Sequence, residues 1–218
     1  MRIFAPVIAA GLVVGPTMPG LGQTGDGVRP LRTFVQDDLR STLPADTDLL
    51  EKPAEIEEFL DALDGRPPDW AAIYGPEGRA HDERLFGLNR ERDRLREGRP
   101  ALQRRVTFLW PGELSDYDPL HAGFRVAVGP AMIATKWGLV RFKPEHLPSP
   151  MVAVPSPATR ETLRREKARG KRIEATVAMT GRLVPEESLI YGFAHEEAGR
   201  GLVMPVVRIE RLDYFLPK

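Results

Sequence analysis

An α+β fold is what this sequence predicts: short, charged N-terminal helices, then an antiparallel β-rich core (a small barrel or sandwich) with one surface helix. Three observations carry that expectation. Ile56, Phe59, Leu60 and Leu63 fall at i, i+3, i+4 and i+7, one face of a helix inside an acidic stretch. From Val106 onward, short apolar runs are separated by Gly and Pro turns, the layout of an antiparallel meander. Proline supplies 21 of 218 residues, against an average usage of about 5%, so turns, crossings and short elements take up much of the chain.

The whole-chain quantities bound the class. With 42% apolar and 28% charged residues, the chain is too apolar to be disordered, and it is long enough to bury a sizeable core. Its formal charge is zero, so no global field favours nucleic acid. There is no cysteine, which excludes disulfides, a cysteine nucleophile, a cysteine–zinc site and a lipobox anchor.

The N-terminus reads as a secretory signal peptide over residues 1–22. Arg2 provides the positive end, Ile3 to Val14 an uncharged, mostly apolar run, and Gly20-Leu21-Gly22 a small-x-small pattern before Gln23. The run is too short to span a bilayer, which takes about 20 residues. The expected location is therefore periplasmic or secreted, after cleavage near Gly22, with no membrane span in the mature chain.

Residues 23–100 read as a charged, helical N-terminal region and 101–218 as a β-rich domain. Gln23 to Pro30 has linker composition. Asp37 to Asp64 carries ten acidic residues against Arg40 and Lys52. A helix there starts near Asp48 or Lys52, uses Pro53 in its first turn and stops at Gly65. Arg79 to Arg105 reverses the sign, with nine arginines against five acidic residues. It predicts a solvated helix from about Asp82 to Glu97 with internal ion pairs; a basic surface docked on the acidic section is the alternative.

The β-rich part follows. Val106 to Trp110 and Phe124 to Val128 read as strands joined by a loop from Pro111 to Gly123. Ala131 to Thr135 and Gly138 to Phe142 continue the pattern. Ser156-Pro157 starts a basic surface helix to about Arg169, with Leu163 almost its only large apolar residue. Ile173, Ala175, Val177 and Met179 alternate with polar or small residues, a half-buried strand. Leu202 to Phe215 predicts a last long strand, at an edge or irregular because of Pro205.

Few groups could carry chemistry. The Pro111–Gly123 stretch holds Asp116, Asp118 and His121, residue types that can hold a cation or act as acid and base. The calcium-loop pattern fails, since Leu120 occupies a ligand position and no glycine follows. Side-chain turns fixed by Pro119 are the plainer expectation. His195 stands before the Gly199–Gly201 turn and is a further acid–base candidate. Trp137 and Arg141 form an aromatic–basic pair suited to a glycan, carboxylate or phosphate, or else a core tryptophan ringed by charge. Serine-elbow, phosphate-loop and dinucleotide patterns are absent from the sequence. No metal or cofactor is expected. The leading expectation is a non-enzymatic binding or interaction module of the cell envelope, its partner an anionic envelope component or another envelope protein. The alternatives are a small envelope hydrolase using Asp and His groups, and an assembly factor docking through the basic helix.

Overall fold

The computed structural model describes residues 27–34, 39–75, 80–195, 197 and 199–217. The signal-peptide expectation falls on residues 1–22 and lies outside them. In chain order the elements are β1 (Val28–Phe34), α1 (Leu39–Thr42), β2 (Asp48–Leu49), α2 (Pro53–Asp64), α3 (Trp70–Tyr74) and α4 (Ala80–Arg96). Then come β3 (Arg105–Asp118), β4 (Gly123–Val128), β5 (Ile133–Thr135), β6 (Gly138–Val140), β7 (Lys143–Pro144) and β8 (Val152–Val154). The last are α5 (Pro157–Ala168), β9 (Glu174–Leu183), β10 (Leu189–Phe193) and β11 (Gly201–Pro217).

Mixed helix and sheet are present, as expected, and the sheet closes. The order β1-β8-β4-β3-β9-β11 returns to β1 through a β1–β11 pairing, giving a six-stranded barrel. Its seams are antiparallel except where β1 lies parallel to both β8 and β11. The Gln23–Pro30 linker reading therefore fails from Val28 on: this segment is a barrel strand. Pro30 and the turn-like residues before it mask a strand whose partners lie far along the chain. The first half of β11 leaves the barrel and joins β10, β6 and β5 in a smaller sheet. Pro205 sits in that half, paired with Leu189. It is therefore inside a paired strand, at the point where β11 passes from one sheet to the other.

Two further differences follow from covering and pairing. The loop expected from Pro111 to Gly123 is mostly strand: β3 runs on to Asp118, with a register shift between Leu114 and Tyr117, and only 119–122 turn. Gly112 sits in close approach there: a Cβ would meet Val177, Val126 and the Ala127 carbonyl at 3.2–3.3 Å. β9 is buried on both faces rather than one. Ala178 is fully buried beneath Leu39, Leu43, Leu49 and Phe215. Thr180 Oγ1 lies 2.6 Å from Thr107 Oγ1, which meets Thr47 Oγ1 at 3.0 Å, so each buried hydroxyl has a partner.

α2 behaves as its sequence predicts. Glu55 accepts the Glu51 and Lys52 amides before the first turn, and Gly65 ends the helix at φ 86°. Ile56, Phe59, Leu60 and Leu63 are all at most 1% exposed and share one core with Phe108, Val177, Met179 and Tyr214 of the barrel. Burying each such side chain stabilises by about 1.5–3 kcal/mol before entropy is charged. α5 also matches: Ser156 Oγ accepts the Thr159 amide, and Leu163 is the helix's buried residue.

Candidate functional site

The β3–β4 hairpin brings two of the four acid–base candidates together. Asp118, at the end of β3, is nearly buried, and its Oδ1 accepts the amides of Leu120 at 2.9 Å and His121 at 3.3 Å. Its Oδ2 lies 3.0 Å from His121 Nδ1. That bond, chiefly, holds the Asp118 carboxyl below the usual carboxylate range; the two amides add to the effect. The turn needs Ala122 at φ 52°. Asp116 is exposed on β3, and His195 is exposed on the β10–β11 connection, a different part of the molecule. Chemically, the pair is an imidazole oriented through Nδ1 by a carboxylate, with Nε2 left as the free ring nitrogen.

Trp137 and Arg141 are not a surface pair. Trp137 is 0% exposed; its indole N–H donates to Asp61 Oδ1 at 3.2 Å and its carbonyl accepts from Trp70 Nε1 at 2.7 Å. Lys136 binds Asp61 Oδ2 at 2.7 Å, and its amide donates to Glu57 Oε1. The β5–β6 turn is thus clasped by two carboxylates of α2, and the tryptophan is a core residue with no face open for stacking. This corrects the expectation of a ligand-binding pair. Arg141 turns instead to Met204, its guanidinium 3.1 Å from the sulfur. Trp70 completes the clasp by lying over Gly201, where any Cβ would overlap its ring.

A buried ionic joint that sequence reasoning missed connects α2, α4 and β10. Asp64 is 3% exposed, Arg92 8%, Arg96 1% and Tyr191 2%. Arg92 Nη1 donates to Asp64 Oδ2 at 3.2 Å and to the carbonyls of Asp64 and Arg66 at 3.0 Å. Arg96 Nη1 is 3.3 Å from Asp64 Oδ1, and its Nη2 binds the Leu189 carbonyl and Asp93. Tyr191 donates its hydroxyl to Asp64. Burial, then the Asp64 charge, raises the phenol far above its ordinary range. Two carboxylates face two guanidiniums, so the group is neutral overall. Asp64 stands at the C-terminal end of α2, where the helix dipole disfavours an anion; the two arginines offset that. Asn89 extends the joint by donating to the Tyr191 carbonyl and accepting its amide. The arginines of α4 are therefore not all solvated: the docked alternative holds at Arg92 and Arg96, four residues apart and so on one side of the helix. That spacing was the available signal, but Asp64 lies too far away in sequence to be paired with them by inspection.

Concave surface lies on either side of this joint. One cleft of about 540 Å³ is bordered by Asp93, Arg94, Glu97, Arg99 and Glu186, with Pro100, Leu102 and Pro185 supplying apolar wall. A second, of about 460 Å³, runs along the opposite flank between α2, α3 and α4. Three polar atoms of the joint, Asp64 Oδ1, Arg96 Nε and Arg96 Nη1, have almost no accessible surface. Arg96 and Asp93 still contribute to the wall of the first cleft, and Asp64 and Arg92 to that of the second. Among the described residues no group of three or more His, Asp and Glu side chains is placed to hold a metal ion, and no helix is long and apolar enough to cross a membrane.

Compared with known proteins, the chain matches no family model, no curated protein and no solved structure.

Proposed function

We propose that this protein is a binding or interaction module of the cell envelope, performing no chemistry itself, and that the cleft beside the C-terminal half of α4 is its contact surface. The observation that carries the reading is that cleft: about 540 Å³, within the 300–1,000 Å³ typical of ligand sites, on a helix fixed from behind by a buried ionic joint. Arg94 and Arg99 oppose Glu97 and Glu186 around an apolar wall. Both signs of charge beside proline and leucine suit a short peptide segment better than a polyanion. The envelope assignment rests on the N-terminal sequence pattern. Titrating the full chain with a pool of short peptides, followed by ¹H–¹⁵N spectra, is expected to move resonances of residues 93–103 and 185–186. Reversing Glu97 and Glu186 to arginine should abolish those shifts. Shifts scattered over the surface, or indifferent to the reversal, would overturn the reading.

A second reading, a small hydrolase, is favoured by one observation: Asp118 orients His121 in the manner a general base requires. It predicts ester hydrolysis that His121→Gln reduces by about 10²-fold or more. Hydrolysis that is absent, or unchanged in that variant, sinks it.

A further inference from the structure

We infer that the outer face of α5, together with the β3–β4 hairpin tip, is a contact surface for an anionic lipid bilayer. The chain as a whole is neutral, yet residues 157–172 hold seven basic residues against Glu161 and Glu166. Positive charge is thus concentrated on this helix and the turn after it, as it also is over Arg79 to Arg105. α5 lies on the barrel through Leu163. Lys167 Nζ donates to the Leu114 carbonyl at 2.7 Å, and the Arg164 guanidinium sits 4.9 Å from the centre of the Tyr117 ring. These contacts align α5 with the part of β3 that ends in the hairpin. Some of the charge is neutralised locally, Lys171 by Glu166 and Arg172 by Glu113. Arg165 and Arg169, one helical turn apart and exposed, act on Glu166 only through their charge, and Arg165 Nε donates to the Glu161 carbonyl at 3.3 Å.

The hairpin tip adds an apolar element. Leu120 is 84% exposed, the most exposed of the large hydrophobic side chains described. It lies three residues beyond Tyr117, beside exposed Pro119. Its turn is not loose: Asp118 fixes it through two amides and the His121 ring. One exposed leucine on its own is unremarkable. A fixed apolar tip next to a helix with exposed arginines has two complementary partners in a bilayer surface, the phosphate layer for the arginines and the acyl boundary for the leucine. A dissolved polyanion would use only the arginines. Asp116, exposed at the foot of the tip, would oppose an anionic surface.

The inference is independent of the α4 cleft and is tested separately from it. The full chain is sedimented with vesicles of phosphatidylcholine alone and with vesicles containing phosphatidylglycerol. The N-terminal segment is common to every variant, so differences between variants report on the surface itself. Binding is expected only to the anionic vesicles. Each basic residue near such a surface contributes about fivefold, so Arg165→Glu with Arg169→Glu is expected to weaken binding by roughly 20-fold or more. Leu120→Ser should weaken it several-fold, and Asp116→Asn should strengthen it. Circular dichroism confirms that each variant folds. Anionic-vesicle binding unchanged in the double reversal overturns the proposal. So does binding that is matched by soluble polyphosphate and indifferent to Leu120→Ser, which would identify the partner as a polymer.

Discussion

α4 and α5 are both arginine-rich helices with little apolar surface, yet their arginines meet opposite fates. α4 turns Arg92 and Arg96 inward onto Asp64, and they are among its buried residues. α5 buries only Leu163 and leaves Arg165 and Arg169 facing out. Composition does not separate the two cases. A carboxylate at the end of α2, already held in the core by Leu63 beside it, is what draws one pair in. The α4 arginines Arg92 and Arg96 hold the helical section to the small sheet; on α5, Arg164 lies over Tyr117 while Arg165 and Arg169 face solvent.

The sharpest way to break this contrast is to remove the buried carboxylate. Asp64→Ala leaves the Arg92 guanidinium buried without a counter-charge and Arg96 with only the half-exposed Asp93, and is expected to cost about 3–5 kcal/mol in denaturant unfolding. A loss below about 1 kcal/mol would place the joint at the level of a surface ion pair and dissolve the distinction. Tyr191→Phe removes a donor to Asp64 and should cost about 1–2 kcal/mol. It also carries a pH signature. The Tyr191 phenol is raised in the folded state, so the unfolded chain loses that proton first, near pH 10. The stability it contributes is complete below that pH and is lost progressively as pH rises above it toward the raised folded value. Thermal melts from about pH 8 to 11 should therefore show the wild type falling more steeply than Tyr191→Phe; parallel curves would refute the assignment. The smallest effect belongs to α5. Arg165→Glu with Arg169→Glu should change stability by less than about 0.5 kcal/mol, measured by the same melts.

Which parts could be read from the sequence follows from how local their causes are. The α2 face was legible because Ile56, Phe59, Leu60 and Leu63 repeat at helical spacing. The cap of α5 was legible because Ser156-Pro157 is a start signal in itself. β3 was cut short because Pro111-Gly112 looks like a turn, although in the strand this glycine lies in close approach to Val126 and Val177. The covered outer face of β9 was missed because Ala178 and Thr180 are neutral in pattern, and what covers them, Leu39 and Phe215, comes from both ends of the chain. The sites divide in the same way. Asp118 and His121 are three residues apart, and their pairing lay within reach of the sequence. Asp64, Arg92 and Tyr191 come together only in the fold, as does the clasp that places Trp137 against Asp61.

The seam that closes the barrel matches Leu31 with Tyr214 and Pro217 with Phe34. Among the described strands β1 therefore waits for β11, far along the chain, before the barrel can close. Pairings so distant in sequence make folding slow. Until β11 is in place, β1 and β9 are the two open edges of the sheet β1-β8-β4-β3-β9.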